Sequence, residues 1–112
     1  MKFKANPYYY PEKSGLTIVG YLQDPQASYS FTDVVIWQYE GKLYGASDSG
    51  CSCPTPFEDF HSLSDLTPIL TIDDARRLIS EAHAEYNPDE RMDLLRKVRD
   101  ILKEYDAPKE TK

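Results

Sequence analysis

Residues 30–46 read Ser-Phe-Thr-Asp-Val-Val-Ile-Trp-Gln-Tyr-Glu-Gly-Lys-Leu-Tyr-Gly-Ala, and the fold turns on how that run is paired. From Ser28 to Glu40 this is the longest β-rich segment of the chain. Phe31, Asp33, Val35, Trp37 and Tyr39 alternate onto one face, and Val34, Ile36 and Gln38 onto the other. Glu40-Gly41 is a candidate two-residue turn, because glycine accepts positive φ at little cost. Glutamate is a poor first residue for a type I′ turn, so a longer bulged loop is the alternative. The tight register pairs Tyr39 with Lys42, Trp37 with Tyr44 and Val35 with Ala46. It makes Trp37–Tyr44 a cross-strand aromatic pair worth up to ~1 kcal/mol. Gly45 then faces Ile36 and leaves room for another element to pack there.

On the N-terminal side, Gly15-Leu-Thr-Ile-Val-Gly-Tyr-Leu22 reads as a strand with Leu16, Ile18 and Leu22 on one face. Asp24-Pro25-Gln26 carries turn chemistry. The opening Asn6-Pro-Tyr-Tyr-Tyr-Pro11 is not helical, because its prolines push their neighbours into extended conformations. The first few residues are expected to be loose.

On the C-terminal side the period changes to that of a helix. Thr71-Ile-Asp-Asp74 is an aspartate version of the capping box. Ala75, Leu78, Ile79, Ala82 and Tyr86 follow at helical spacing, with His83 at the border of the stripe. Asn87-Pro-Asp-Glu90 ends that helix and caps the next. The second stripe is Leu94, Leu95, Val98, Ile101, Leu102 and Tyr105, with Asp93–Lys97 and Arg96–Asp100 as i,i+4 pairs. The expected fold is α+β: a small antiparallel sheet of three to four strands, followed by a C-terminal helical hairpin packed on it. Residues 1–112 form one domain. It comprises a β-rich part over 1–70 with an ordered Cys/Pro loop at 47–61, an αα-hairpin over 71–106 and a flexible tail at 107–112.

Composition narrows the function. With 112 residues the chain buries one modest core. Its 13 basic and 19 acidic residues give a net charge of −6, which argues against a general nucleic-acid binder. No apolar run approaches the ~20 residues of a membrane helix, and MKFKANPYYYPEK lacks the apolar stretch of a leader. Residues 1–70 hold no arginine; all five arginines fall in 71–112. There the basic stretch Arg91, Arg96, Lys97, Arg99 and Lys103 is interleaved with acids and reads as a solvated face.

The unusual chemistry lies between Ser47 and His61, a run without periodicity and long for a connection in a small domain. Cys51, Cys53 and His61, with Asp48 or Asp59, are a candidate zinc site, since thiolates and imidazole suit that ion. Cys-x-Cys is nevertheless tighter than the usual spacing and no second cysteine pair exists. A Cys–His–Asp nucleophile built on the same residues, and a strained Cys51–Cys53 disulfide, are weaker readings. The preferred one treats both cysteines as small, mostly buried residues shaping a turn, with Phe57 and Phe60 anchoring it to the core.

Nine tyrosines are many for so short a chain, and seven precede residue 45. Aromatic side chains are enriched at binding hot spots, where they bury much area at little entropic cost. Tyr9, Tyr10, Trp37 and Tyr44, with Asp48 and Phe57 from the adjoining loop, are therefore the candidate contact surface. The competing reading is that these aromatics simply cover one face of the sheet. Neither catalytic residues nor a cofactor are assigned, zinc at Cys51, Cys53 and His61 being the alternative.

Asn6-Pro-Tyr-Tyr-Tyr-Pro-Glu-Lys, Gly15-Leu-Thr-Ile-Val-Gly, Asp24-Pro-Gln-Ala-Ser-Tyr-Ser-Phe and Asp48-Ser-Gly-Cys-Ser-Cys-Pro-Thr-Pro-Phe-Glu-Asp together resemble a family of small uncharacterised proteins of actinobacterial tailed phages and prophages. The resemblance spans residues 6–70, and Asp48–Asp59 is its most specific part. It implies a viral protein in the cytoplasm of a bacterial host, with reduced thiols. It also favours an accessory role in binding a host protein of defence or regulation, or a phage protein, and the acidic charge, the aromatic surface and the lack of a complete catalytic set make that role non-enzymatic. An acidic mimic of nucleic acid is a further alternative, although the acids form no long runs.

Overall fold

A computed structural model describes residues 2–23, 30–51, 57, 60–82 and 86–110. The hairpin forms as the tight register requires: β2, Ser30–Tyr39, pairs with β3, Lys42–Cys51. Tyr39 faces Lys42, Trp37 faces Tyr44 and Val35 faces Ala46. Glu40 and Gly41 both take positive φ, 51° and 81°, which is the signature of the type I′ turn. Glutamate is thus accepted where glycine or asparagine is the easier residue.

The long loop begins later than the sequence suggested. Ser47–Cys51 belongs to β3, with Ser47 opposite Val34 and Cys51 opposite Ser30. This stretch has no apolar alternation, and it is extended because the ladder with β2 carries it. The cross-strand partner, rather than local pattern, fixes it. Cys53, the rest of residues 52–56 and 58–59, the Asp24-Pro25-Gln26 turn and His83 lie outside the described residues, as do the side chains of Cys51 and Tyr105.

β1, Thr17–Gln23, pairs antiparallel with β2, and β4, Thr67–Ile69, with β3, so the four-stranded order is β1-β2-β3-β4. The faces of β1 differ from the simple alternation. A bulge between Ile18 and Gly20 inserts Val19, so Leu16 and Ile18 pack on one side of the sheet while Val19 and Leu22 pack on the other. One extra residue reverses the parity of everything beyond it.

Helices α1, Ile72–Glu81, and α2, Pro88–Glu110, lie on the side of Leu22, Val34, Ile36, Leu43 and Ile69. Both start signals hold. Thr71 Oγ1 accepts from the Asp74 N–H at 3.2 Å while Asp74 Oδ2 accepts from the Leu70 and Thr71 N–H groups at 2.9 and 3.0 Å. Asn87 Oδ1 accepts from the Asp89 N–H at 2.8 Å. Each helix seats a leucine on a glycine of the sheet. A Cβ on Gly45 would stand 2.5 Å from a Leu78 methyl, and one on Gly20 would stand 2.6 Å from a Leu94 methyl. The space left at Gly45 is therefore filled by α1. Tyr86, just past α1, is buried, and its hydroxyl donates to the Thr32 carbonyl at 3.0 Å. α2 continues to Glu110, past residue 106, where the sequence placed its end. No glycine stops the helix there.

The opposite side of the sheet is also covered. Leu16, Val35, Trp37, Ala46, Phe57 and Leu66 form a second core, so Val34, Val35, Ile36 and Trp37 are all inaccessible to solvent. The N-terminal arm closes it. The Phe3 N–H donates to the His61 carbonyl at 2.7 Å, and Lys2 bridges Ser62, so these first residues are tied down rather than loose. Ser62 and Asp65 cap a short 3-10 turn, Leu63–Asp65.

Candidate functional site

The tyrosine arm is held by its backbone. Asn6 Oδ1 accepts from the Tyr8 and Tyr9 N–H groups at 2.7 and 3.1 Å, and the Asn6 carbonyl accepts from the Tyr10 N–H at 2.9 Å. These bonds curl residues 6–10 into a turn where the prolines alone suggested an extended arm, because the Asn6 side chain caps the backbone locally. Pro7 is buried, and its carbonyl accepts from the Trp37 indole N–H at 2.9 Å. One bond from the central strand thus fixes the height of the arm above the sheet.

That arrangement sorts the predicted surface residues. Tyr9 and Tyr10 are each 52% exposed, and Tyr21 of β1 is 53% exposed. Trp37 and Phe57 are wholly buried, so they serve as the floor beneath the surface and are not themselves contact residues. A chain of packed rings joins floor to surface. Trp37 meets Phe57 at 5.4 Å between centroids, Phe57 meets Tyr8 at 5.6 Å, and Tyr8 meets Tyr9 at 5.1 Å and Tyr21 at 6.1 Å. Three of these contacts are edge-to-face and the Phe57–Tyr8 pair is tilted at 38°; such pairs gain beyond what buried area alone gives. Tyr44 is half-buried beside Trp37 in the register and belongs to the second core.

Two polar groups of the site, Asp48 and Tyr8, are engaged structurally. Asp48 Oδ2 accepts from the Phe57 N–H at 2.7 Å, holding Phe57 at its positive φ of 63°. Asp33 is buried opposite Asp48 in the ladder. The Tyr8 phenol is pushed above its ordinary range, first by burial and then by the Asp33 charge. Tyr8 is therefore a neutral phenol at physiological pH, and its oxygen accepts from the Gln23 amide at 3.1 Å.

The candidate zinc ligands are described only in part. Cys51 closes β3, His61 is exposed with its carbonyl engaged by Phe3, and Cys53 lies outside the described residues. Among the described residues, no three His, Cys, Asp or Glu side chains converge as a metal-binding group.

Sequence reasoning missed Tyr21. The alternation of β1 sets it on the face opposite Leu22, but only the folded arm brings Tyr8 beside it. No helix among the described residues is long and apolar enough to cross a membrane.

Comparison with known proteins adds a family and no activity. The family described as Domain of unknown function (DUF7574) matches residues 5–107. No curated protein and no solved structure matches the chain.

Proposed function

The chain belongs to that family of domains of unknown function, and we propose that it is a non-enzymatic binding protein that grips a partner protein through Tyr9, Tyr10 and Tyr21. The observation that carries this reading is the ring chain: three half-exposed phenols, two of them packed through Tyr8 onto a buried Phe57–Trp37 floor. Such phenols combine apolar area with a hydroxyl and have little rotamer entropy left to lose. The surface borders β1, an edge strand of the sheet. Its sequence Thr-Ile-Val-Gly-Tyr-Leu-Gln contains no charge, which suits close approach by a partner's backbone. The structural employment of Asp48 and Tyr8 supports binding rather than acid–base catalysis. The likeness of residues 6–70 to actinobacterial phage proteins favours a host or phage protein as partner, met in the bacterial cytoplasm.

Photo-crosslinking tests this. A benzophenone side chain at Tyr9 or Tyr21 is expected to trap one and the same protein in the cells where the chain is made, while the same group at exposed Glu81 traps none of it. Equal capture from all three positions, or none from Tyr9 and Tyr21, overturns the assignment.

A further inference from the structure

Four of the five arginines line a groove between α1 and α2, where the sequence had suggested only a solvated face. Two adjoining hollows of about 230 and 440 Å3 share Arg76 and Leu95. Arg96 and Arg99 line the first and Arg91 lines the second, and no carboxylate lines either. Asp73 and Asp93 stand outside, each bonded to one arginine: Arg76–Asp73 at 3.2 Å and Arg96–Asp93 at 3.3 Å. All four of these side chains are at least half exposed, so the pairs are weak and exchangeable. Arg91 and Arg99 have no ion pair among the described residues. The floor is apolar: Ile72 and Leu95 are half-buried, and Met92 is 63% exposed, large for a methionine with no partner above it.

We infer that this groove receives an acidic amphipathic helix of a partner protein. Its apolar stripe would cover Met92 and Leu95, and its carboxylates would reach Arg91 and Arg99. Those two arginines are eight residues apart on one helix, which is about 12 Å along its axis. They therefore match carboxylates two turns apart on a second helix. The apolar floor favours a helix over nucleic acid, whose phosphates gain nothing from it. The lining charge agrees: four arginines and no carboxylate line the two hollows of a chain whose net charge is −6, and Asp89, Glu90 and Asp93 gather in a neighbouring hollow beyond Met92. The same excess of negative charge disfavours a second copy.

The test uses fluorescence anisotropy with the full chain and three labelled probes. One is a synthetic helix of about four turns with a leucine stripe flanked by glutamates, the second a scrambled peptide of identical composition, and the third a short DNA duplex. The striped peptide is expected to bind about tenfold or more tightly than the scrambled one, and to weaken with added salt. Arg91→Glu/Arg99→Glu should lose about tenfold, and Arg91→Ala/Arg99→Ala a smaller part, with circular dichroism confirming that both remain helical. Tyr9→Ala/Tyr21→Ala should bind the striped peptide as the wild type does, which separates this site from the tyrosine surface. Equal binding of the two peptides, tighter binding of the duplex, no effect of charge reversal, or no binding of the striped peptide each overturns the inference.

Discussion

Single residues in this chain work mainly as ties between segments distant in sequence. Trp37 looks like a surface aromatic by sequence, yet it is wholly buried, with its indole N–H spent on the Pro7 carbonyl. Asp48, read as a surface acid, orders Phe57. Asp74 is the clearest case in which a charge is needed. Its carboxylate is held below the ordinary value of 3.8, first by the Leu70 N–H and then by the Thr71 N–H. A depressed acid stabilises the fold fully above its unfolded value, and that contribution fades as pH falls through the lower folded value. Asp65 behaves in the same way through the His61 and Ser62 N–H groups. Asp74→Asn is therefore expected to be less stable at neutral pH and to lose less stability than the wild type between pH ~4 and pH ~2, by urea midpoints. Parallel pH profiles for the two proteins would show that the charge at Asp74 does not matter.

At the scale of elements, what was legible followed local chemistry. The hairpin register and both helix starts can be read from Glu40-Gly41, Thr71–Asp74 and Asn87–Glu90, because turns and caps are decided within four residues; the helical pair's place on the sheet follows from its apolar stripes, Ala75, Leu78 and Ile79 with Leu94 and Val98. What was missed depends on partners far along the chain. The bulge at Val19 is invisible in an alternating run, and Ser47–Cys51 becomes strand only because β2 lies beside it. Gly45 was legible as a gap, and the structure shows Leu78 filling it. Gly45→Ala places a methyl group against that side chain, so a loss of about 1–3 kcal/mol is expected in urea unfolding. Leu78→Ala removes the obstacle, so the double variant should be more stable than the sum of the two single losses predicts. Strict additivity would mean that the helix does not seat there.

For the whole molecule, the sheet separates two surfaces of opposite character. On one side a folded N-terminal arm presents tyrosines over an aromatic core; on the other, the helical pair gathers arginines over an apolar groove. The uneven distribution of tyrosine and arginine along the sequence foretold two halves. Which residues share a surface needed the fold, since Tyr8, Tyr9 and Tyr21 meet only when the arm closes, and Arg76 joins Arg91 and Arg99 only when α1 packs beside α2. The tyrosine side carries the central claim. It is tested most directly by isothermal titration of the protein trapped from Tyr9 and Tyr21 against three chains: wild type, Tyr9→Ala/Tyr21→Ala and the remote Glu81→Ala. Hot-spot truncation predicts a loss of affinity of more than about tenfold for the tyrosine variant and wild-type affinity for Glu81→Ala; unchanged affinity in a folded tyrosine variant would contradict the account.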